Sequence, residues 1–370
     1  MDSTTTSEAS AWAEAAGSLA HVIPLIISST YPPLDFKSCS WEDDDSSPDE
    51  LCFMQWNFDA IELERLSDAK PIQFVTEQIF THNTDMVAEF KGCVKIFRRI
   101  FVECDASYNP WASSEGRVVN FHTATHGADV TQALFFLLQG PPGILTKLVP
   151  AIELSNQKVS LVKLAAIFAS AMHDYDHPGF TNEFVAKSNH ALLKEFGKSS
   201  SDSILEKFHC SRSFALLEQA GFGDHLSKKD FFFFKSIVTD MVLATDIGHH
   251  FELMNRPVRV EDFRECLCLL LHAADVSNVA RPPQISRQWG ERVVEEFFSQ
   301  GDLERQLSLA VTPMMDRESA HVGRVQAGFI EVIARPLFAK LINELFIVDD
   351  ENTRFMQELE LNWEICLFFQ

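Results

Sequence analysis

Residues 164–184 read LAAIFASAMHDYDHPGFTNEF. The first nine are small or apolar and suit one turn of helix after another. The segment then ends in His173, Asp174, Asp176 and His177. Moving an ionised group out of water costs several kcal/mol unless it is paired or binds a cation. A buried helix with such a tip either ends at the surface or faces something positive. The same three-to-four-residue apolar recurrence continues on both sides. It appears in 71–90 (PIQFVTEQIFTHNTDMVAEF), 93–105, 130–139, 161–172, 231–246, 263–275 (FRECLCLLLHAAD), 289–304 and 325–346 (VQAGFIEVIARPLFAKLINELF). Gly and Pro mark the joins, as in QGPPG, HPG, GFGD and RPP. Period-two runs are scarce. The pattern predicts an all-α fold, a single compact multi-helix domain over 55–370, behind a mobile acidic leader over 1–54 that contains WEDDDSSPDE.

The composition narrows the function. The 370 residues carry a formal net charge of −22, which argues against nucleic acid as a partner, because phosphate backbones need clustered Lys and Arg. An anionic substrate would need local positive charge, such as metal ions. Phe is abundant (32) and Tyr scarce (3), so the aromatic mass is hydrocarbon core. The eight cysteines form no C-x-x-C pair and suit reduced thiols in a cytoplasmic enzyme. The most apolar leader piece, GSLAHVIPLIISSTYPPL, is interrupted by Ser, His and Pro. Its continuous apolar part is too short to span a membrane.

Three clusters carry chemistry. NFHTATHGADV places His122 and His126 four apart, which on a helix puts both imidazoles on one face, with Asp129 three residues on. His173-Asp174 ends the opening helix, and Asp275 ends the apolar run of LLLHAADVSN. Each alone reads equally well as a cap or a surface pair. Together, in contexts where unpaired charge is expensive, they point to a metal site inside a helical body. Two His and two Asp without Cys suit divalent ions of the zinc, magnesium or manganese type. Asp176 and His177 are equally compatible with loop capping. His249, His250 and His272 are read as non-ligands.

These residues bring the sequence to a resemblance. HDYDHPGFTNEF, with H-x-x-x-H-x-x-D-V upstream and HAADVSN downstream, is similar to the class I cyclic nucleotide phosphodiesterases, a branch of the HD-type metal phosphohydrolases. WNFDAIELERLSD, DSILEKFHCSRSF, MVLATDIGHHF, RQWGERVVEEFFSQGDLE, TPMMDRESAHVGRVQAGFI and ARPLF follow in the family's order, over residues 55–345. The resemblance implies a binuclear metal site. His126, His173, Asp174 and Asp275 would hold a tight Zn²⁺, and Asp174 would bridge to a second ion, Mg²⁺ or Mn²⁺. It implies hydrolysis of 3′,5′-cyclic nucleotides (cAMP, cGMP or both) to 5′-monophosphates by a metal-bridging hydroxide, with His122 as general acid. Gln326 would read the purine edge, Phe329 would stack on the base, Val293 would pack on its other face, and Asn278 would line the site. Glu206, His209, Thr245, His177 and Asp129 would orient ligands and waters. The partner implied is the small cyclic nucleotide, with room for a homodimer or a fused regulatory domain.

The sequence departs from the family at named places. Thr123 stands where an Asn usually follows the acid His, and lacks an amide to brace neighbouring backbone. Phe121 stands for a Tyr. WASSEGRVVN (111–120) is an extra stretch, and Gly127 replaces an Ala at a small cost in helix propensity. No metal ligand is lost, so an active enzyme is expected. The alternatives are another HD-type nucleotide phosphohydrolase, or an inactive cyclic-nucleotide-binding homologue.

Overall fold

The protein is described by a computed structural model covering residues 53–140, 143–155, 157–346 and 350–368. The acidic leader, the apolar piece within it, Cys39 and Cys52 lie outside the described residues, apart from the leader's last two positions. There, Phe53 is already buried, against Phe58 and Phe135. Among the described residues every regular element is helical. None of these helices is long and apolar enough to cross a membrane.

Three helices form the centre. Ala124–Gln139 is buried on all sides from Thr125 to Leu138, as expected of a helix without a polar face. Val159–Met172 and Phe263–Asp275 pack against it. Pro71–His82 covers its other side, and Lys228–Leu243 covers Val159–Met172 and Phe263–Asp275. The Phe excess is used here. Phe97 stacks on Phe222 and on Phe168, each at 5.2 Å between ring centroids. A satellite core of Phe180, Phe184, Val185, Leu192, Ile204, Leu205 and Phe208 lies under the loop that follows the opening stretch, with Trp111 against it.

Three expectations need correction. The run over 71–90 is two helices, Pro71–His82 and Thr84–Glu89. Asn83 divides them: its amide donates to the Ile79 carbonyl, competing with the helical ladder. The run over 325–346 is not continuous either. It passes from Val322–Phe329 through one π-helical stretch, Ile330–Ala334, into Arg335–Glu344. Pro336 lacks an N–H and cannot close an ordinary turn onto the preceding carbonyls, so the ladder widens ahead of it. Third, Gly127 is more than a small helix penalty. A Cβ there would sit 3.0 Å from the Ala171 carbonyl oxygen and 3.1 Å from the Tyr108 hydroxyl, which itself donates to Ala171.

One buried ion pair ties the domain's start to its centre. Arg281 is fully buried. It donates to the Trp56 carbonyl, to Asp129 Oδ1 at 2.9 Å and to Gln132 Oε1, and its guanidinium lies over the Trp56 ring. Trp56 Nε1 donates to the Ala280 carbonyl. Removing one member of a buried pair strands the other. Arg281→Met is therefore expected to lower unfolding free energy by about 3–5 kcal/mol in a urea titration. Arg281→Met combined with Asp129→Leu should lose less than Arg281→Met alone.

Candidate metal centre and acid site

The three central helices end at one place. His126 lies in the first turn of Ala124–Gln139, His173 caps Val159–Met172, Asp174 follows it, and Asp275 is the last residue of Phe263–Asp275. One donor atom from each lies within 4.8 Å of all the others. His126 Nε2 is 3.0 Å from Asp275 Oδ1 and 3.6 Å from Asp174 Oδ2. His173 Nε2 is 3.0 Å from Asp174 Oδ2 and 3.3 Å from Asp275 Oδ1. Metal bonds of about 2.0–2.2 Å at tetrahedral angles place neighbouring donors roughly 3.3–3.6 Å apart, so the spacing fits one divalent cation.

The hydrogen bonds support that fit. His173 Nδ1 is 2.9 Å from the Ser170 carbonyl, which can only accept, so Nδ1 carries the proton. The Nε2 of a neutral ring then aims its lone pair at two carboxylates. Only a positive charge between them makes that arrangement favourable. The same need is visible in the protonation equilibria. Burial works against a charged His173, yet the Asp174 carboxylate, with Asp275, holds its pKa well above the ordinary value. Burial likewise opposes ionisation of Asp174 and Asp275, and the imidazoles still keep both carboxyls below the usual range. Both imidazoles are buried. The Asp174 and Asp275 side chains keep 13% and 20% exposure, enough to leave the centre an approach from solvent.

A second group, Asp174, His177 and His209, shares Asp174 with the first. His209 Nδ1 meets the Tyr175 carbonyl at 2.9 Å, and its Nε2 faces Asp174 Oδ1 at 3.7 Å. Burial pushes His209 down to about 4 and His177 well below its ordinary value, so both stay neutral.

His122 is not on the helix. Ala124–Gln139 starts after it, with Thr123 as N-cap, so the expected one-face pairing with His126 does not arise from helical spacing. The two rings nonetheless lie 5.8 Å apart, because a residue from a distant helix holds His122 there. Glu296, buried within Pro283–Gln306, accepts a hydrogen bond from His122 Nδ1–H on Oε1. Its Oε2 accepts the backbone N–H groups of Asn120, Phe121 and His122. Burial alone would lower the His122 pKa, but the charges of Glu296 and, behind it, Asp174 and Asp275 together outweigh it and lift the group to about 9. The His177 ring stacks on His122 at 3.9 Å.

Sequence reading missed Glu296. It stands beside Glu295 in VVEEFF, and nothing local separates the two. The wider periodicity does, since Trp289, Val293, Glu296, Gln300 and Glu304 recur every three or four residues. Trp289 packs on His126 and Phe121, Gln300 accepts from Thr181 N, and Glu304 accepts from Thr312.

Comparisons with known proteins place the chain in a family. Residues 121–353 match the family model of the 3′5′-cyclic nucleotide phosphodiesterases. The chain belongs to that family. It is 32% identical over 329 residues to the probable 3′,5′-cyclic-AMP phosphodiesterase pde-4 of Caenorhabditis elegans, covering 82% of this chain and 46% of the relative. It is 33% identical over 303 residues to the 3′,5′-cyclic-AMP phosphodiesterase 4C of Rattus norvegicus, covering 77% and 52%. The solved structure of LmjPDEB1 in complex with IBMX superposes with a TM-score of 0.70 at 26% identity, covering 85% of this chain and 91% of that one. The chain spans about half the length of the curated relatives it matches.

Other residues expected in a phosphodiesterase site fall as follows. Gln326 and Phe329 share the helix Val322–Phe329 and are half-buried. The Gln326 amide lies beside Gly290, and a Cβ there would meet its oxygen at 3.8 Å, an ordinary contact. Val293 and Phe329 both pack partly buried on the main core, and Asn278 is buried in the turn after Asp275. Glu206 accepts from Asn182, and burial, with the Asp246 charge, raises its pKa to about 8. Two of the residues expected to orient ligands have other bonds. Asp129 is committed to Arg281, and the Thr245 hydroxyl donates to the Val242 carbonyl of its own helix end. Asp176 turns out to be a loop anchor, accepting from Trp111 N and Arg212 Nε. His250 and His272 pair with each other at 2.9 Å, away from the quartet.

Binding to the native state alone adds RT ln(1 + [L]/Kd) to stability. Zinc added to chelator-stripped protein at 100 times its Kd should raise the unfolding midpoint by roughly 3–5 °C. His173→Ala and Asp275→Asn should abolish that rise, and His122→Ala should leave it intact.

Proposed function

We propose that this chain hydrolyses 3′,5′-cyclic nucleoside monophosphates to 5′-monophosphates. The observation that carries the reading is a Glu296-held His122 beside a two-His, two-Asp quartet. His126, His173, Asp174 and Asp275 would hold Zn²⁺, and Asp174 with the His177–His209 side would serve Mg²⁺ or Mn²⁺. When bound, two such ions neutralise a phosphate and acidify a water for attack.

The chain's own residues do the rest. As the phosphorus–O3′ bond breaks, the leaving oxygen needs a proton. His122 gives it and is afterwards reprotonated from solvent. Glu296 keeps that proton in place at neutral pH and turns the other ring nitrogen towards the substrate. His177, stacked on His122, is held neutral by burial and by the His122 charge, so two adjacent imidazoles take opposite protonation states. Gln326 would pair with the base edge, since an amide both donates and accepts. Phe329 would stack on the base, a contact contributing about 1–3 kcal/mol. Val293 and Asn278 would line the remaining walls, and His209 and Glu206 would orient the second ion's waters. The described cysteines are free thiols, five of them buried, in keeping with a cytoplasmic setting.

The deciding experiment compares cyclic AMP and cyclic GMP with linear nucleotides as substrates. Turnover of the linear ones alone would overturn the reading, as would metal loading without any turnover. His122→Ala should retain metal and lose about 10²–10⁴-fold in kcat. Gln326→Ala should raise KM for the cyclic nucleotide without changing metal content.

The pH dependence has a defined sign. The Glu296 charge raises the His122 pKa, so the acid form persists until pH exceeds the raised value. In Glu296→Gln that charge is gone, His122 releases its proton at lower pH, and the alkaline limb of kcat moves towards neutrality. An unmoved limb would show that another group sets it.

A further inference from the structure

We propose that Asn109 is a positioning residue for the His122 proton donor. Its side-chain amide is a staple between the acid-bearing segment and the metal-bearing loop. This rests on the role given to His122 above.

Asn109 occupies the N-cap position of the short helix Pro110–Ser114, yet its side chain makes no capping bond there. Instead Nδ2 donates to the His122 carbonyl at 2.8 Å and to the His177 carbonyl at 3.0 Å. Both amide hydrogens are used, and two carbonyl acceptors fix which end of the amide faces them. The two carbonyls belong to the two residues whose rings stack at 3.9 Å. His122 is thus gripped from opposite sides, with its N–H and ring nitrogen on Glu296 and its carbonyl on Asn109.

No neighbouring side chain duplicates the grip. Thr123 makes no capping bond, and its hydroxyl lies 3.5 Å from the Phe121 carbonyl, the limit of hydrogen-bond reach. Asn109 itself is well anchored. Asp176, buried in a left-handed conformation (φ 67°), donates its N–H to the Tyr108 carbonyl and accepts the Trp111 N–H on Oδ1. The residues flanking Asn109 are therefore fastened to the same loop that carries His173, Asp174 and His177. Farther along the extra stretch, Arg117 donates to the Pro178 carbonyl at 2.6 Å and lies over Phe180. The segment between Asn109 and His122 is strapped to the metal loop along its length, and Asn109 is the point where the strap reaches the acid.

The test uses the full chain supplied with zinc and magnesium. The variants are Asn109→Ala, Asn109→Asp, His122→Ala and the Asn109→Ala/His122→Ala pair. Two substrates separate the roles. Cyclic AMP expels an alkoxide that needs a proton, whereas bis(4-nitrophenyl) phosphate expels a nitrophenolate that does not. Asn109→Ala should lower kcat on cyclic AMP by roughly 10- to 100-fold, with KM and metal content unchanged and the nitrophenyl ester spared. The double variant should be no slower than His122→Ala, because a misplaced acid costs nothing once the acid is gone. Asn109→Asp keeps the size and the helix start but cannot donate at neutral pH. It should show the same loss, and it decides the matter if Asn109→Ala does not fold. Full activity of Asn109→Asp overturns the proposal. So does an equal loss on both substrates, or a double variant slower than His122→Ala by the whole Asn109 factor. Normal cyclic AMP turnover by His122→Ala overturns the acid assignment itself, a separate result from failure of the Asn109 variants alone.

Discussion

Concentrated negative charge in an apolar interior governs this structure. Three helices that are almost entirely hydrocarbon converge and present two carboxylates and two imidazoles within 4.8 Å. Burial makes unpaired charge there expensive, and the four donors are spaced to suit one divalent cation. The surrounding architecture follows from this constraint. The helices must be buried to hold the donors at fixed spacing, and their tips must meet, since Asp174 faces both the quartet and His209. At Gly127 the His126 helix runs close to the Ala171 carbonyl, where a Cβ would sit only 3.0 Å from the oxygen.

A second layer of control comes from the helix Pro283–Gln306. Its inward stripe passes from Trp289 against His126, through Glu296 on His122, to Gln300 and Glu304, which bind the loop before Asn182 and the one at Thr312. One element thus touches His126, His122 and two loops. Electrostatics then divides the imidazoles. Those facing Asp174 without another carboxylate in bonding contact are neutral, whereas His122, bonded to Glu296, is charged. Identical side chains a few ångströms apart take different chemical roles because their carboxylate neighbours differ.

The departures from the family pattern make sense in the same terms. Thr123 cannot brace the backbone as an amide would. The extra stretch 111–120 and its anchor Asp176 instead carry Asn109 to the His122 carbonyl. A deficit read one residue from the acid is met by a donor thirteen residues upstream of His122, through a segment that looks in sequence like an insertion of no particular shape.

The sequence by itself determined the helical class, the long central helices and the four residues of the His/Asp quartet that the fold brings together. Each of these rests on a local signal: apolar period, or His and Asp at the end of an apolar run. It also carried the family likeness, which lies in ordered short motifs. Only the tertiary structure decided that Glu296 meets His122, that Asp129 serves Arg281, that Asp176 anchors a loop and that His122 precedes its helix. It also set the helix breaks at Asn83 and before Pro336. These outcomes depend on contacts between residues up to about 175 positions apart, as at Phe121 and Glu296. A polar side chain's partner is set by which elements pack together, and no local spacing encodes that.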